Sequence, residues 1–285
     1  MINLKKGLIM EGGAMRGLFT AGVIDVLMEN NIEFDGAVGV SAGAAFGCNY
    51  KSRQIGRVIR YNTKYSKDKR FCSMRSLIRT GDMYGNDFCY RQLPFELDIF
   101  DVETYESNPM EFFVVCTDVE TGKPVYNNCV KADNDCMQWI RASASMPLVS
   151  QVVEVGGYKL LDGGISDSIP LKFFEKKGYE KNIVILTQPN GYVKGKNKLI
   201  GLMKLAFRKY PAVIETMKNR HTAYNETTDY IKQKEDKGEI LVIRPKGDLG
   251  IKRTEKEPEE LRKVYEKGRA VAEKMLPQIK EYLGI

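Results

Sequence analysis

Phe34-Asp35-Gly36-Ala37-Val38-Gly39-Val40-Ser41-Ala42-Gly43 is the stretch that decides the fold. Phe34 to Val40 reads as a strand, stops at Ser41, and gives way to a helical pattern from Ala42. Gly39-Val40-Ser41-Ala42-Gly43 matches G-x-S-x-G. The glycines of that motif relieve crowding in a sharp strand-to-helix turn, which exposes the serine oxygen. Alone the motif is weak, and a tight structural turn is the plain alternative. Its place between a strand pattern and a helix pattern is the context that the chemistry requires.

Upstream, Lys6 to Met10 is a short apolar run ending at Glu11-Gly12-Gly13. Gly17 to Glu29 then carries Leu18, Ala21, Val23, Ile24 and Leu27 at helical spacing. Downstream strand candidates are Glu111 to Thr117, Val152 to Val155, Tyr158 to Leu161, Asn182 to Thr187 and Ile240 to Ile243. Helical patterns fill Asp133 to Ser143, Pro170 to Lys177, Ile200 to Gln233 with breaks, and Pro258 to Tyr282. Such alternation implies an α/β fold, a mostly parallel sheet covered by helices. Gly156-Gly157 predicts a tight hairpin, and Gly178 after Lys176-Lys177 a left-handed helix end. Pro189 to Lys198 reads as a linker or mobile loop.

Three further groups bear on chemistry. Gly12-Gly13-Ala14-Met15-Arg16-Gly17 sits at a second strand-to-helix junction, where backbone N–H groups can face a phosphate or a developing oxyanion. It lacks the Lys-Ser/Thr of a P-loop, and Ala14 breaks the dinucleotide fingerprint. Asp162-Gly163-Gly164 puts a carboxylate at a strand end. Aspartate is a poor proton acceptor at its usual pKa, but burial raises its basicity. Read alone, Asp162 is a turn residue. His221 is the sole histidine, and the order Ser41, Asp162, His221 is that of a triad. Its polar, helical surroundings favour a solvated residue instead.

The three motifs together resemble the patatin-like phospholipase family. Its glycine-rich loop corresponds to Gly12 to Gly17, its G-x-S-x-G to Gly39 to Gly43, and its D-G-A/G to Asp162-Gly163-Gly164. Ala142-Ser143-Ala144-Ser145-Met146-Pro147 looks like the family's A-S-x-S-x-P segment. The resemblance implies a three-layer α/β/α sandwich and a serine acyl-ester (lipid) hydrolase, phospholipase A-like, with no cofactor or metal. It further implies a Ser41–Asp162 dyad, with Gly12, Gly13, Ala14, Arg16 and Gly17 around the oxyanion hole. Gly39 and Gly43 would shape the nucleophile turn, and Gly163 and Gly164 the turn after Asp162. Ala14 departs from the family's glycine, and alanine resists positive φ. The expected division is a catalytic domain over residues 1–195 and a helical extension over 196–285, with a strand returning to the main sheet.

Composition bounds the remaining possibilities. The chain has 285 residues and 43% hydrophobic residues, enough for a large core. Met1 to Met10 lacks the pattern of a signal peptide, and no run approaches a membrane span, so a cytoplasmic protein is expected. The six cysteines contain no C-x-x-C pair, which argues for reduced thiols rather than zinc. The net charge of +7 favours anionic partners. No nucleic-acid motif accompanies it. Lys64, Lys67, Lys69, Arg70, Arg75 and Arg79 lie among Phe71, Met74, Leu77 and Ile78, a pattern suited to a rim on an anionic membrane or to an ordinary solvated helix. Two rival readings remain: a triad esterase using His221, and a non-catalytic lipid-binding protein.

Overall fold

A computed structural model of the chain describes residues 4–285. The first part of the expected polar lead, residues 1–3, lies outside them. One eight-stranded sheet organises the molecule. Its strands are β1 (Lys6–Met10), β2 (Gly36–Val40), β3 (Glu111–Asp118), β4 (Pro124–Asn128), β5 (Val153–Val155), β6 (Tyr158–Asp162), β7 (Lys181–Ile185) and β8 (Ile240–Ile243). The order is β5-β6-β3-β2-β1-β7-β8, with β4 also on β3. The five strands from β3 to β8 run parallel, and β4, β5 and β6 join them antiparallel.

Side-chain alternation explains the layers. Leu8 and Met10 of β1, Ile183 and Ile185 of β7, and Leu241 and Ile243 of β8 enter one core. Their neighbours Ile9, Val184 and Val242 enter a second core on the opposite face. The first face is covered by α1 (Gly17–Glu29), α2 (Ala42–Lys51), α6 (Asn134–Ser143) and α10 (Pro258–Leu283). Between α2 and β3 the chain adds α3 (Arg57–Tyr65), α4 (Met74–Thr80), a π-helical segment Phe88–Leu97, and α5 (Val102–Ser107). The second face carries α7 (Leu171–Lys176) and α9 (Pro211–Asp236), with α8 (Ile200–Ala206) leading into α9. The result is a three-layer α/β/α sandwich, so both faces of the parallel strands are buried.

The predicted turns form as expected. Gly156 and Gly157, at φ 59° and 79°, close the β5–β6 hairpin, and Gly178 at φ 83° follows α7. Pro189 to Lys198 is a connector, but it is anchored: Lys194 N–H donates to Asn225 Oδ1 at 2.8 Å. Five cysteines are buried and Cys89 is half-buried, all with free thiols.

Register brings the two strand-end motifs together. Residues 113–115 of β3 pair with both β2 and β4, so those two strands lie on opposite edges. Residues 116 and 117 pair with both β4 and β6, so β6 shares the β2 edge. Strand β2 therefore ends at Val40, opposite Val115, where β6 ends at Asp162, opposite Cys116. Two strands meet end to end on one edge of β3, one leading into Ser41 and the other ending in Asp162.

Candidate active site

Ser41 occupies the turn between β2 and α2 at φ 55°, ψ −120°, a conformation that costs a non-glycine residue energy. The turn is possible because its flanks lack side chains. A Cβ on Gly39 would strike the Gly43 carbonyl, and one on Gly43 would strike that of Met10. Ser143, at the end of α6, fixes the turn from below. Its hydroxyl accepts the Ser41 N–H at 2.8 Å and donates to the Val115 carbonyl at 2.6 Å. Two residues on, the Ser145 carbonyl accepts the Asp162 N–H at 2.8 Å. The segment that resembled A-S-x-S-x-P thus holds the backbone of both motifs.

Asp162 is buried, and desolvation raises its pKa above the ordinary carboxylate value. The Arg220 charge, a hydrogen-bonding interaction with the Ser41 side chain, and the Gly164 N–H oppose that rise. Gly164 N–H donates to Asp162 Oδ1 at 2.7 Å. Gly163 has no room for a side chain, because its Cβ would meet the Val115 carbonyl. Arg220 of α9 donates through Nε to the Gly164 carbonyl. The next residue, His221, points elsewhere: its Nδ1 lies 3.1 Å from the Lys218 carbonyl of its own helix. The structure brings Ser41 and Asp162 together and leaves His221 out.

The Gly12–Gly17 loop lies beside this pair. A Cβ on Gly12 would stand 2.8 Å from the Val40 carbonyl and 2.9 Å from Ser41 Cβ, so only glycine fits against the Ser41 turn. Ala14 opens a short 3-10 turn, Ala14–Arg16, at φ 49°, the left-handed region. Buried Glu11 anchors the loop. It accepts the Thr187 N–H at 2.6 Å and the Tyr224 hydroxyl at 2.7 Å. Thr187 Oγ1 also reaches the Gly12 carbonyl at 3.1 Å. Gly17 begins α1, whose dipole favours negative charge at this end.

An apolar cavity of about 120 Å³ opens from Ser41 and Ala14 into the first face. Phe46, Tyr61, Phe71, Leu93, Met137 and Ile140 are among its walls. Cys48 and Cys89 also line it, but burial pushes the Cys48 thiol up to about 12 and raises Cys89 as well. Both thiols stay protonated at neutral pH, and the Ser41 side chain shares the cavity lining with them.

Sequence reasoning passed over Ser143 as an anchor, and it passed over Glu11, Thr187, Tyr224 and Arg220. Glu11 preceding the glycines was the one local signal available. The others lie far along the chain and meet only through the sheet.

Residues 8–174 match the family model described as patatin-like phospholipase. The chain belongs to the patatin-like phospholipase family. Residues 210–284 match a separate model, a domain of unknown function (DUF6363). The uncharacterized protein YjjU of Escherichia coli (strain K12) is 28% identical over 254 residues, covering 84% of this chain and 68% of that protein. Lysophospholipase NTE1 of Meyerozyma guilliermondii is 27% identical over 186 residues, 63% of this chain but 12% of that protein. The crystal structure of VipD from Legionella pneumophila aligns with 97% of this chain and 67% of its own, at TM-score 0.47 and 12% identity. Membership of the family supports lipid hydrolysis as the activity of this patatin-like chain.

Proposed function

We propose that the protein is a serine acyl-ester hydrolase, phospholipase A-like, working through a Ser41–Asp162 dyad. The observation that carries this reading is the end-to-end meeting of β2 and β6 on one edge of β3, which sets a buried carboxylate at the nucleophile turn. Ser41 Oγ attacks the ester carbonyl while Asp162 takes its proton. Negative charge develops on the carbonyl oxygen against the Gly12–Ala14 backbone and the start of α1. Collapse breaks the bond to the alcohol, which leaves with the proton from Asp162. Water then attacks the acyl-enzyme, Asp162 takes its proton and passes it to Ser41 Oγ as the acyl–oxygen bond breaks, and the fatty acid is released. The apolar cavity receives the acyl chain.

Hydrolysis of p-nitrophenyl acyl esters tests the dyad. Ser41→Ala and Asp162→Asn are expected to abolish turnover, and His221→Gln to retain it. Loss in His221→Gln with retention in Asp162→Asn would replace the dyad with a histidine mechanism. The pH profile adds a check with a definite sign. Asp162 works as the carboxylate, and burial raises its pKa. Activity is therefore lost as pH falls through a value above the ordinary carboxylate range. An acid limb at the usual value would exclude this buried aspartate as the base.

The proposal extends to peripheral contact with anionic lipid. Exposed Met74 and Ile78 of α4 lie beside Arg75 and Arg79, and exposed Leu199, Leu202 and Leu205 at α8 lie beside Lys198 and Lys204. The catalytic unit of the proposal is residues 1–195, with 196–285 as the extension.

A further inference from the structure

One helix touches both loops of the site. Helix α9 lies almost wholly within residues 210–284, the match to the domain of unknown function, whereas Ser41, Asp162 and the Gly12–Gly17 loop lie within residues 8–174. Arg220 and Tyr224 stand one turn apart on α9 and so share a face. Tyr224 is buried and donates its hydroxyl to Glu11 Oε1 at 2.7 Å. The other oxygen, Oε2, takes the Thr187 N–H at 2.6 Å and the Thr187 hydroxyl at 3.1 Å. Glu11 is itself buried and directly precedes Gly12, so its carboxylate is a peg for the start of the loop. A buried carboxylate oxygen stripped of its donor bears a desolvation cost, so the peg depends on Tyr224.

Arg220 meets the second loop. Its Nε donates to the Gly164 carbonyl, and the Gly164 N–H donates to Asp162 Oδ1 at 2.7 Å. Ser168 Oγ shares that carbonyl at 2.8 Å, a bond within the turn, so Arg220 is the tie from the turn to α9. A Cβ on Gly164 would stand 3.0 Å from Asp162 Oδ1 and 3.1 Å from Arg220 Nη2. Carboxylate and guanidinium therefore converge on one point. Of the other groups around Asp162, Tyr90 and Cys116 are kept neutral by burial, and Arg253 is exposed to screening solvent.

We propose that α9 positions the active site: Tyr224, through Glu11, sets the Gly12–Gly17 loop, and Arg220, through Gly164, sets the Asp162 turn. Residues 1–195 then carry the reacting groups, and the extension fixes where they stand. Tyr224 and Arg220 are positioning residues. Their effect on turnover rests on the Ser41–Asp162 reading; the clamp on the two loops does not.

Two measurements on the full chain test the clamp. The first is hydrolysis of a p-nitrophenyl acyl ester. Tyr224→Phe should lower kcat about tenfold and leave KM unchanged, because the loop meets negative charge only in the transition state. The kcat losses of Tyr224→Phe and Glu11→Gln should not multiply in the double variant. Multiplied losses, or a loss confined to KM, overturn the route through Glu11. Arg220→Met should move the acid limb of the pH profile to higher pH. Losing the cation raises the Asp162 pKa, so the carboxylate is lost sooner as pH falls. Arg220→Lys keeps the charge and should return the limb toward its wild-type place. An unmoved limb in Arg220→Met overturns the part given to Arg220. The second measurement is backbone hydrogen exchange, which needs no turnover. Tyr224→Phe should speed exchange within residues 11–17, and Arg220→Met within residues 162–168, each sparing the other loop. Unchanged exchange at both loops overturns the clamp, and so does a uniform rise across the sheet. Local exchange effects without any Ser41-dependent turnover keep the clamp and overturn the hydrolase reading instead.

Discussion

Ala14 shows how one residue reports on a site. A side chain in the left-handed region costs about 1–2 kcal/mol, and Ala14 sits there at φ 49° in the loop beside Ser41. Ala14→Gly is expected to raise stability by about 1 kcal/mol and to retain ester turnover. Thermal melting checks it; an unchanged or lowered midpoint would mean that the alanine is unstrained. Ser41 and Asp162 were legible in the sequence because glycines mark the turns that present them. Arg220 was not. The reading stopped at His221, yet successive residues on a helix point about 100° apart, and it is Arg220 that reaches Gly164. Ser143 was legible only as part of a resemblance, because its partners, Ser41 and Val115, are set by the sheet.

At the scale of elements, α1 and α10 cross at two glycines. A Cβ on Gly22 would strike the Tyr265 carbonyl, and one on Gly268 would strike that of Phe19. Tyr265 also donates its hydroxyl to buried Asp25 at 2.7 Å. Backbones that close leave no room for a methyl group, and overpacking costs about 1–3 kcal/mol. Gly268→Ala is therefore expected to lower stability by that amount despite the better helix propensity of alanine. Denaturant unfolding reads it, and a stabilised variant would show that the helices are free to separate. Most strands were legible from apolar runs bounded by turn residues. Strand β4 was missed because Pro124-Val125-Tyr126-Asn127-Asn128 opens with proline, closes with two asparagines and is half-buried throughout. Between Arg57 and Ser107 only a solvated helix within residues 64–79 was anticipated, where α4 lies; the other helices were missed because their periodicity is broken into short pieces.

For the whole molecule, the question is where a lipid would approach. Helix α4 and helix α8 flank one segment, residues 144–152. On one side Met83 N–H donates to the Val149 carbonyl at 2.9 Å, and Gln151 N–H donates to Asp82 at 2.9 Å. On the other, Leu148 and Val152 pack with Met203 and Phe207 at α8. Ala144 and Met146 of the same segment line the apolar cavity at Ser41. The apolar residues left in solvent on these helices reach 83% exposure at Ile78 and 69% at Leu205, on elements that meet the same segment from two sides. Cations alternate with them on a chain of net charge +7. Buried apolar area and attraction to anionic headgroups reinforce each other at an interface. Leu202→Glu and Leu205→Glu together should cut sedimentation with anionic phospholipid vesicles by about tenfold or more. Turnover of a short, water-soluble p-nitrophenyl ester should persist, since neither leucine lines the cavity. High salt should weaken wild-type vesicle binding through screening. Equal binding to neutral and anionic vesicles, or binding unaffected by the two substitutions, would remove this face from the docking surface and send the lipid to Ser41 by another route.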